Sequence, residues 1–355
     1  KIFFDFLRFC IGSAKEIPDS LKEADWKELY RIAQKQCLVG VLFDGIKKLP
    51  TELVGMKKEL LLQWMAESQM LEKANVRLND AAIQVSEWFR KKGFRTCILK
   101  GQGNALMYPN PYSRTPGDID IWVEGGDKWV ISFVRSISPH EKACYHHIEF
   151  PSYKGVEVEV HYRPSFLLCF WHNRKLQKYY ERVKDEQFSH RVMLGEQGEI
   201  AIPTVEFNLI FQLTHIFSHL MNEGIGLRQL VDYYFVLSML SVNSEMLTSL
   251  QEELKKLGLW KFAGAIMYIM QEVFGMPASR LIVPPNEKYG KFVLNEVLEA
   301  GNFGRHDARN RFGRSQLGHN LQRVYRDMRL VRYFPAEALC EPLFRFWHFF
   351  WRKWH

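Results

Sequence analysis

The chain has 355 residues, of which 47% are hydrophobic and 25% are charged. This length excludes a single small domain, and the composition is that of a globular protein with two or three packed units. With 48 basic and 40 acidic residues the net charge is +8, which favours polyanionic partners such as nucleotides, nucleic acid or a membrane surface.

The cysteines and the longest apolar runs indicate in which cellular compartment the protein is expected. The cysteines are scattered and form no C-x-x-C pair, so we expect reduced thiols in a cytoplasmic protein rather than a disulfide framework or a zinc site. No apolar run approaches the roughly 18–20 residues needed to span a bilayer, and no signal peptide is visible.

The first region, residues 1–92, is predicted to be helical. Apolar residues recur at helical spacing from residue 19 onwards. A second, longer helical pattern follows and ends at the stop signal Lys91-Lys92-Gly93.

The second region, residues 93–203, changes to an α/β pattern. Strands are predicted at "FRTCILKG", "DIDIWV", "YHHIEF" and "VEVEVH", a two-turn helix at "QGNALMYPN", and another helix at "GDKWVISFVRSI". This compact unit ends near residue 165. Residues 166–203 are predicted to be irregular, with a hairpin near "VMLGEQGEIAIP".

The third region, residues 204–355, is predicted to be helical again. Thr204 is a suitable N-cap for the first of several amphipathic helices. An arginine-rich segment, residues 305–334, is followed by the basic aromatic run "PLFRFWHFFWRKWH". A solvated basic helix face explains this tail, but an interfacial membrane helix or a surface for RNA or another polyanion would have the same composition.

Two aspartates lie inside an otherwise apolar predicted strand, where a buried carboxylate is costly unless it is paired or binds a metal. Asp118 and Asp120 lie two residues apart and therefore point to one face, and Glu159 projects from the alternating strand "VEVEVH". If these strands are neighbours, three carboxylates meet. Hard oxygen ligands of this kind suit Mg²⁺, and a two-ion site can activate a hydroxyl and stabilise a leaving pyrophosphate.

The segment "ILKGQGNALMY" predicts a phosphate-binding turn. Gly101 and Gly103 allow backbone amides to approach an anion, and a helix start adds its positive dipole end. The motif of a P-loop is absent. Lys100 and Arg114 are suited to neutralising phosphate charge.

The motifs "LKG", "RTPGDIDI" and "EVH", in this order, resemble those of the nucleotidyltransferase superfamily of the DNA polymerase beta type. The resemblance is greatest to the bacterial branch called uncharacterised nucleotidyltransferases. The resemblance implies an α+β fold with an α/β-type core, in which a small mixed sheet is flanked by helical regions. It implies an NTP substrate and two divalent ions, Mg²⁺ or Mn²⁺. By residue, it implies Asp118, Asp120 and Glu159 as the catalytic metal ligands, and Lys100, Gly101, Gln102, Gly103, Arg114 and Gly117 as nucleotide or phosphate contacts.

Other polar residues are predicted to support this site. His161 is interpreted as a hydrogen-bond partner of the acids, because Mg²⁺ prefers oxygen ligands. His219, Arg228 and Asp232 are predicted to form a polar cluster that orients the helical region against the site, or a wall of the nucleotide pocket. "GLRQLVD" around the last two of these is similar to a motif of the same branch. His146 and His147 receive no role.

The sequence therefore predicts a metal-dependent nucleotidyltransferase that moves an NMP from an NTP to a hydroxyl or phosphate acceptor and releases pyrophosphate. A sugar phosphate or glycan, a protein side chain and a tRNA end are the acceptor candidates, and helices from both flanks are expected to form the acceptor pocket. The alternative is a catalytically weak nucleotide-binding module that docks to a membrane or an assembly through its C-terminal tail.

Overall fold

The computed structural model describes residues 1–196, 198–241, 243–301, 309 and 316–355. Within these residues the chain forms fourteen α-helices, a four-stranded sheet and a two-stranded sheet. This architecture is α+β, with the sheets lying between two helical regions in the sequence, and it confirms the predicted fold class.

The N-terminal region is helical, as predicted. Its helices are α1 (Ile2–Ile11), α2 (Trp26–Lys35), α3 (Val39–Ile46) and α4 (Lys58–Lys91). The side chain of Asp25 caps α2 by accepting hydrogen bonds from the first-turn backbone amides. Trp64 anchors α4 on α3, because its buried ring donates a 2.9 Å hydrogen bond from Nε1 to the Val39 carbonyl oxygen.

The central sheet has the strand order β1-β2-β4-β3, formed by β1 (Thr96–Ile98), β2 (Ile119–Val123), β3 (His147–Tyr153) and β4 (Val156–His161). Strand β2 pairs parallel to β4, whereas the β1–β2 and β3–β4 pairs are antiparallel. The sheet is therefore mixed. Helix α5 (Gln102–Ala105) follows β1, and α6 (Gly126–Ile137) follows β2.

Two predictions for the central region were wrong. Residues 166–203 are not irregular, because α7 (Phe170–Ser189) occupies most of them. Leu176, Tyr179 and Tyr180 are buried at helical spacing, but the many charged residues between them hid this pattern. The helix after β1 is shorter than predicted, since α5 has only four residues. The predicted hairpin is present as β5 (Arg191–Met193) and β6 (Glu199–Ala201).

The C-terminal region consists of helices, and Thr204 caps the first of them by accepting a hydrogen bond from the Phe207 amide. These helices are α8 (Val205–Asn222), α9 (Leu227–Met239), α10 (Ser244–Lys256), α11 (Trp260–Glu272), α12 (Glu287–Ala300), α13 (Gln316–Leu330) and α14 (Pro335–Trp354). Part of the predicted arginine-rich segment, residues 305–308 and 310–315, lies outside the described residues.

Two hydrophobic clusters organise the molecule. One joins the N-terminal helices to α8, α9 and α11, so the two helical regions share a core although the sheet separates them in sequence. The other packs the second half of α4 against the sheet and α6. None of the helices in the described part of the chain combines the length and the apolar character needed to cross a membrane.

Candidate active site

The two strands that carry the predicted acids are neighbours. In the parallel β2–β4 pair, Asp120 lies opposite Glu159, and Asp118 stands immediately before β2 on the same face as Asp120. Oxygen atoms of the three carboxylates lie within 4.8 Å of one another. The sequence predicted that a third carboxylate would join the aspartate pair if the two strands were neighbours. This prediction is confirmed.

The cation that buried aspartates require is Lys100, which follows β1 on the other side of β2. Its Nζ lies 2.9 Å from Asp120 Oδ1 and 3.3 Å from His215 Nε2. The side chain of Asp120 is only 2% exposed, so without this partner its charge would be strongly unfavourable.

The charges around Lys100 decide its protonation. Burial alone would lower the pKa of the ammonium, but the negative charges of Asp120, Asp118 and Glu159 outweigh burial and raise it. The same carboxylates affect one another, since the charge of Asp120, with burial, raises the pKa of Asp118. A permanent positive charge thus faces three acids, and one of them gives up its proton less readily than a solvated aspartate.

His161 is the second cation of the cluster. Its Nε2 lies 2.9 Å from Asp120 Oδ1 and 3.3 Å from Glu159 Oε2. Burial would lower the pKa of this imidazole, but its hydrogen bonds to the two carboxylates raise the pKa to about 9. In return, Lys100 and His161 hold the pKa of Asp120 well below its ordinary value in spite of burial.

His147, the first residue of β3, also approaches Glu159, and His146 directly precedes it in the chain. Glu159 Oε2 lies 3.2 Å from His147 Nδ1, which in turn lies 3.1 Å from His146 Nε2. Burial, reinforced by the neighbouring imidazoles, lowers the pKa of His147 to about 4 and that of His146 well below its usual value. Both rings are therefore neutral at pH 7. No sequence pattern indicated this contact, because it depends on how β3 pairs with β4.

The segment predicted as a phosphate-binding turn reaches the acids only in part. Gly101 has φ +54° and ψ −106°, a conformation that side chains rarely adopt, and its backbone lies beside Asp118. Gln102 and Gly103 do not line the cleft. The Gln102 side chain instead bonds to Asn79, and a Cβ at Gly103 would lie 3.0 Å from Ile202. A one-turn helix has only a small dipole, so α5 adds little to the positive charge of Lys100 here.

Arg114 and Asp232 form a buried ion pair. The Nε and Nη2 atoms of Arg114 each lie 2.8 Å from a different carboxylate oxygen of Asp232. Tyr108 donates a 2.6 Å hydrogen bond to the same carboxylate, and Asn104 donates one of 3.3 Å. The predicted phosphate contact of Arg114 stays a prediction and would use Nη1, the nitrogen that does not contact Asp232.

His219 on α8 and Arg228 on α9 both line the cleft, and their predicted polar cluster with Asp232 stays a prediction. Arg228 donates a 3.1 Å hydrogen bond from Nη1 to the Thr115 carbonyl oxygen, which ties α9 to the loop before Asp118. His219 Nδ1 lies 3.3 Å from Oε2 of Glu223, the residue that directly follows α8.

Many of these groups line one cleft of about 650 Å³. The predicted site residues that line it are Lys100, Gly101, Arg114, Gly117, Asp118, Asp120, Glu159, His161, His219, Arg228 and Asp232. The opposite wall comes from α8, α13 and α14. Among the described residues, none from the N-terminal helices lines this cleft, which differs from the predicted contribution of both flanks to an acceptor pocket.

Comparison with known proteins identifies the family. The family model described as "Uncharacterised nucleotidyltransferase" matches residues 22–275, which include the whole acid cluster and its Lys100 partner. The chain belongs to this family. The predicted resemblance is therefore confirmed, and membership of the nucleotidyltransferase family supports a general role in nucleotidyl transfer.

Other comparisons add little about activity. A crystal structure of an antigenic nucleotidyltransferase-like protein from Paracoccidioides brasiliensis is similar over 60% of this chain and 95% of its own, with 14% identity and a TM-score of 0.34. No curated protein matches the chain.

Proposed function

We propose that this nucleotidyltransferase moves an NMP from an NTP to a hydroxyl or phosphate acceptor and releases pyrophosphate. The observation that carries the proposal is the meeting of Asp118, Asp120 and Glu159 within 4.8 Å, beside Lys100, in an open cleft. Three converging carboxylates are costly in a folded protein unless they bind cations.

The acids fit divalent metal ions. They offer hard oxygen donors from two neighbouring strands, which is the ligand type that Mg²⁺ and Mn²⁺ prefer. Bound Mg²⁺ or Mn²⁺, as one ion or two, would polarise the triphosphate and lower the pKa of the attacking hydroxyl. Asp118, Asp120 and Glu159 would hold the ions.

The chain's own groups would position the substrates. Lys100 is held at the acids by Asp120, and it can move its ammonium from that carboxylate to a phosphate oxygen. Gly101 leaves backbone room for the triphosphate. Glu159 is the proposed proton acceptor for the attacking hydroxyl, with Asp120 as the alternative.

The acceptor would enter along the wall formed by α8, α13 and α14. That wall carries Arg323, Arg345 and the ring of Phe344. Cations next to an aromatic ring suit a phosphorylated acceptor with a planar or sugar ring. A sugar phosphate or glycan and a tRNA end fit this description better than an unmodified protein side chain.

The test uses each labelled NTP with Mg²⁺ or Mn²⁺ and a cell extract, and asks which molecule acquires the label. We expect the double variant Asp118→Asn/Asp120→Asn and the single variant Glu159→Gln to abolish label transfer. Glu157→Gln is the matched control, because Glu157 lies on the same strand and is exposed. Full transfer by the double variant would refute the proposal.

A second candidate function is carried by α14. Leu339, Leu343, Phe346, Phe350 and Trp354 form one stripe at helical spacing, and each is at least 40% exposed. Exposed Arg352 and Lys353 lie beside the end of this stripe. An aromatic stripe with adjacent cations suits the surface of an anionic membrane, as in a nucleotide-binding module that docks through its C-terminus.

Measurements of metal binding and of vesicle binding distinguish the two candidate functions. Sedimentation with vesicles of anionic lipid, compared between the unmodified protein and Phe346→Ser/Phe350→Ser, measures docking. Docking without any metal binding at the acids would favour the module over the enzyme. Docking by an enzyme that also transfers label would place the reaction at a membrane surface.

A further inference from the structure

The carboxylate of Glu159 belongs to two donor groups. One is the acid group with Asp118 and Asp120, and the other contains two imidazoles. On that second side Glu159 Oε2 lies 3.2 Å from His147 Nδ1 and 3.3 Å from His161 Nε2. Donor atoms of all three residues lie within 4.8 Å of one another.

The sheet fixes this second group. In the antiparallel β3–β4 pair, His147 lies opposite His161, and Glu159 precedes His161 by two residues on the same strand. Side chains two apart on a strand share a face, and directly paired residues do so across a ladder. The donors are therefore held by backbone pairing and not by flexible loops.

Two of the three donor separations match those in a transition-metal site. With metal–ligand bonds of about 2.0–2.1 Å, tetrahedral nitrogen and oxygen donors lie roughly 3.4 Å apart. The two measured separations at Glu159, 3.2 and 3.3 Å, are close to this value. Two imidazoles and one carboxylate are also the donors that zinc-like ions accept and that Mg²⁺ does not prefer.

We propose that His147, Glu159 and His161 form a separate position for an imidazole-preferring divalent ion of the Zn²⁺ and Co²⁺ class. The inference rests on the proposed function only in that Glu159 is shared with the acid group. Binding of the ion would displace the Nε2 proton of His161, which now lies between the two carboxylates, and would replace the 3.1 Å contact of His146 Nε2 with His147 Nδ1. All four residues line the cleft, so an entering ion has a path, and substrate oxygens can complete its shell.

The test is a titration of the full, metal-stripped chain with Co²⁺, in which the visible absorption of bound Co²⁺ is measured. Zn²⁺ is then added as the competitor. We expect the chain to bind one Co²⁺ ion, with the absorption spectrum of a site that has few ligands, among them imidazole nitrogens. Zn²⁺ should displace this Co²⁺ ion, and Mg²⁺ should not. His147→Gln and His161→Gln should each weaken this binding by at least about tenfold. His140→Gln is the control, because His140 is exposed and outside the cleft.

Asp118→Asn separates this position from the acid group. It should keep the Co²⁺ spectrum while losing Mg²⁺-dependent label transfer. Loss of the spectrum in Asp118→Asn, with its retention in His147→Gln, would place the ion at the acids and overturn the inference. Circular dichroism of each variant confirms folding. Anomalous diffraction from zinc-soaked crystals of the unmodified chain gives an independent result, and the absence of a peak between His147, Glu159 and His161 would also overturn it.

Discussion

The buried pair of Arg114 and Asp232 should be among the most sensitive contacts in the molecule. Asp232 is 5% exposed and Arg114 is 4% exposed, and two contacts of 2.8 Å join them. Asp232→Ala would leave the Arg114 charge buried without its carboxylate, and Tyr108 would lose its acceptor. Removing one partner of such a pair costs about 3–5 kcal/mol.

The assay is urea unfolding followed by far-UV circular dichroism, with the free energy of unfolding taken from the midpoint and slope. The double variant Arg114→Met/Asp232→Leu should recover much of the loss, because removing both charges removes the desolvation cost as well. The exposed pair Arg191–Glu199 is the control, and Glu199→Ala should cost less than about 1 kcal/mol. A loss below about 1 kcal/mol for Asp232→Ala would refute the reasoning.

Three further predictions follow from other contacts. Lys100→Met should lower NTP turnover by roughly 100-fold, with partial recovery in Lys100→Arg, because Lys100 is the cation at the acids; unchanged steady-state turnover would contradict this. Burial and the charge of Glu341 raise the pKa of Asp327 to about 7. Between the ordinary pKa of an aspartate and about pH 7, the folded protein therefore keeps a proton on Asp327 that the unfolded chain has released. Stability should therefore fall as the pH rises from about 4 to 7, and Asp327→Asn should raise the melting temperature at pH 8 but not at pH 4. Gly258→Ala should cost at least about 1 kcal/mol in urea unfolding, since φ is +71° and the new Cβ would lie 2.3 Å from the His172 ring; Gly55→Ala, with no atom within 4 Å, is its control.

The sequence by itself determined the chemistry of the site. An aspartate pair beside an apolar strand and an acid on an alternating strand indicate convergence, because side chains two apart share a strand face. The same logic required a partner for a buried carboxylate, but it did not identify Lys100, which was predicted as a phosphate contact. These local rules were enough to predict the acid cluster, whereas the family came from the resemblance of the ordered motifs "LKG", "RTPGDIDI" and "EVH".

Only the tertiary structure decided which groups surround those acids. His147 contacts Glu159 because β3 pairs with β4 in one register, and a slip of one residue would turn it to the other face. Likewise, Arg114 contacts Asp232 across 118 residues of sequence. Long-range contacts of this kind depend on how helices and strands pack, and a periodic pattern within one segment contains no information about its partner.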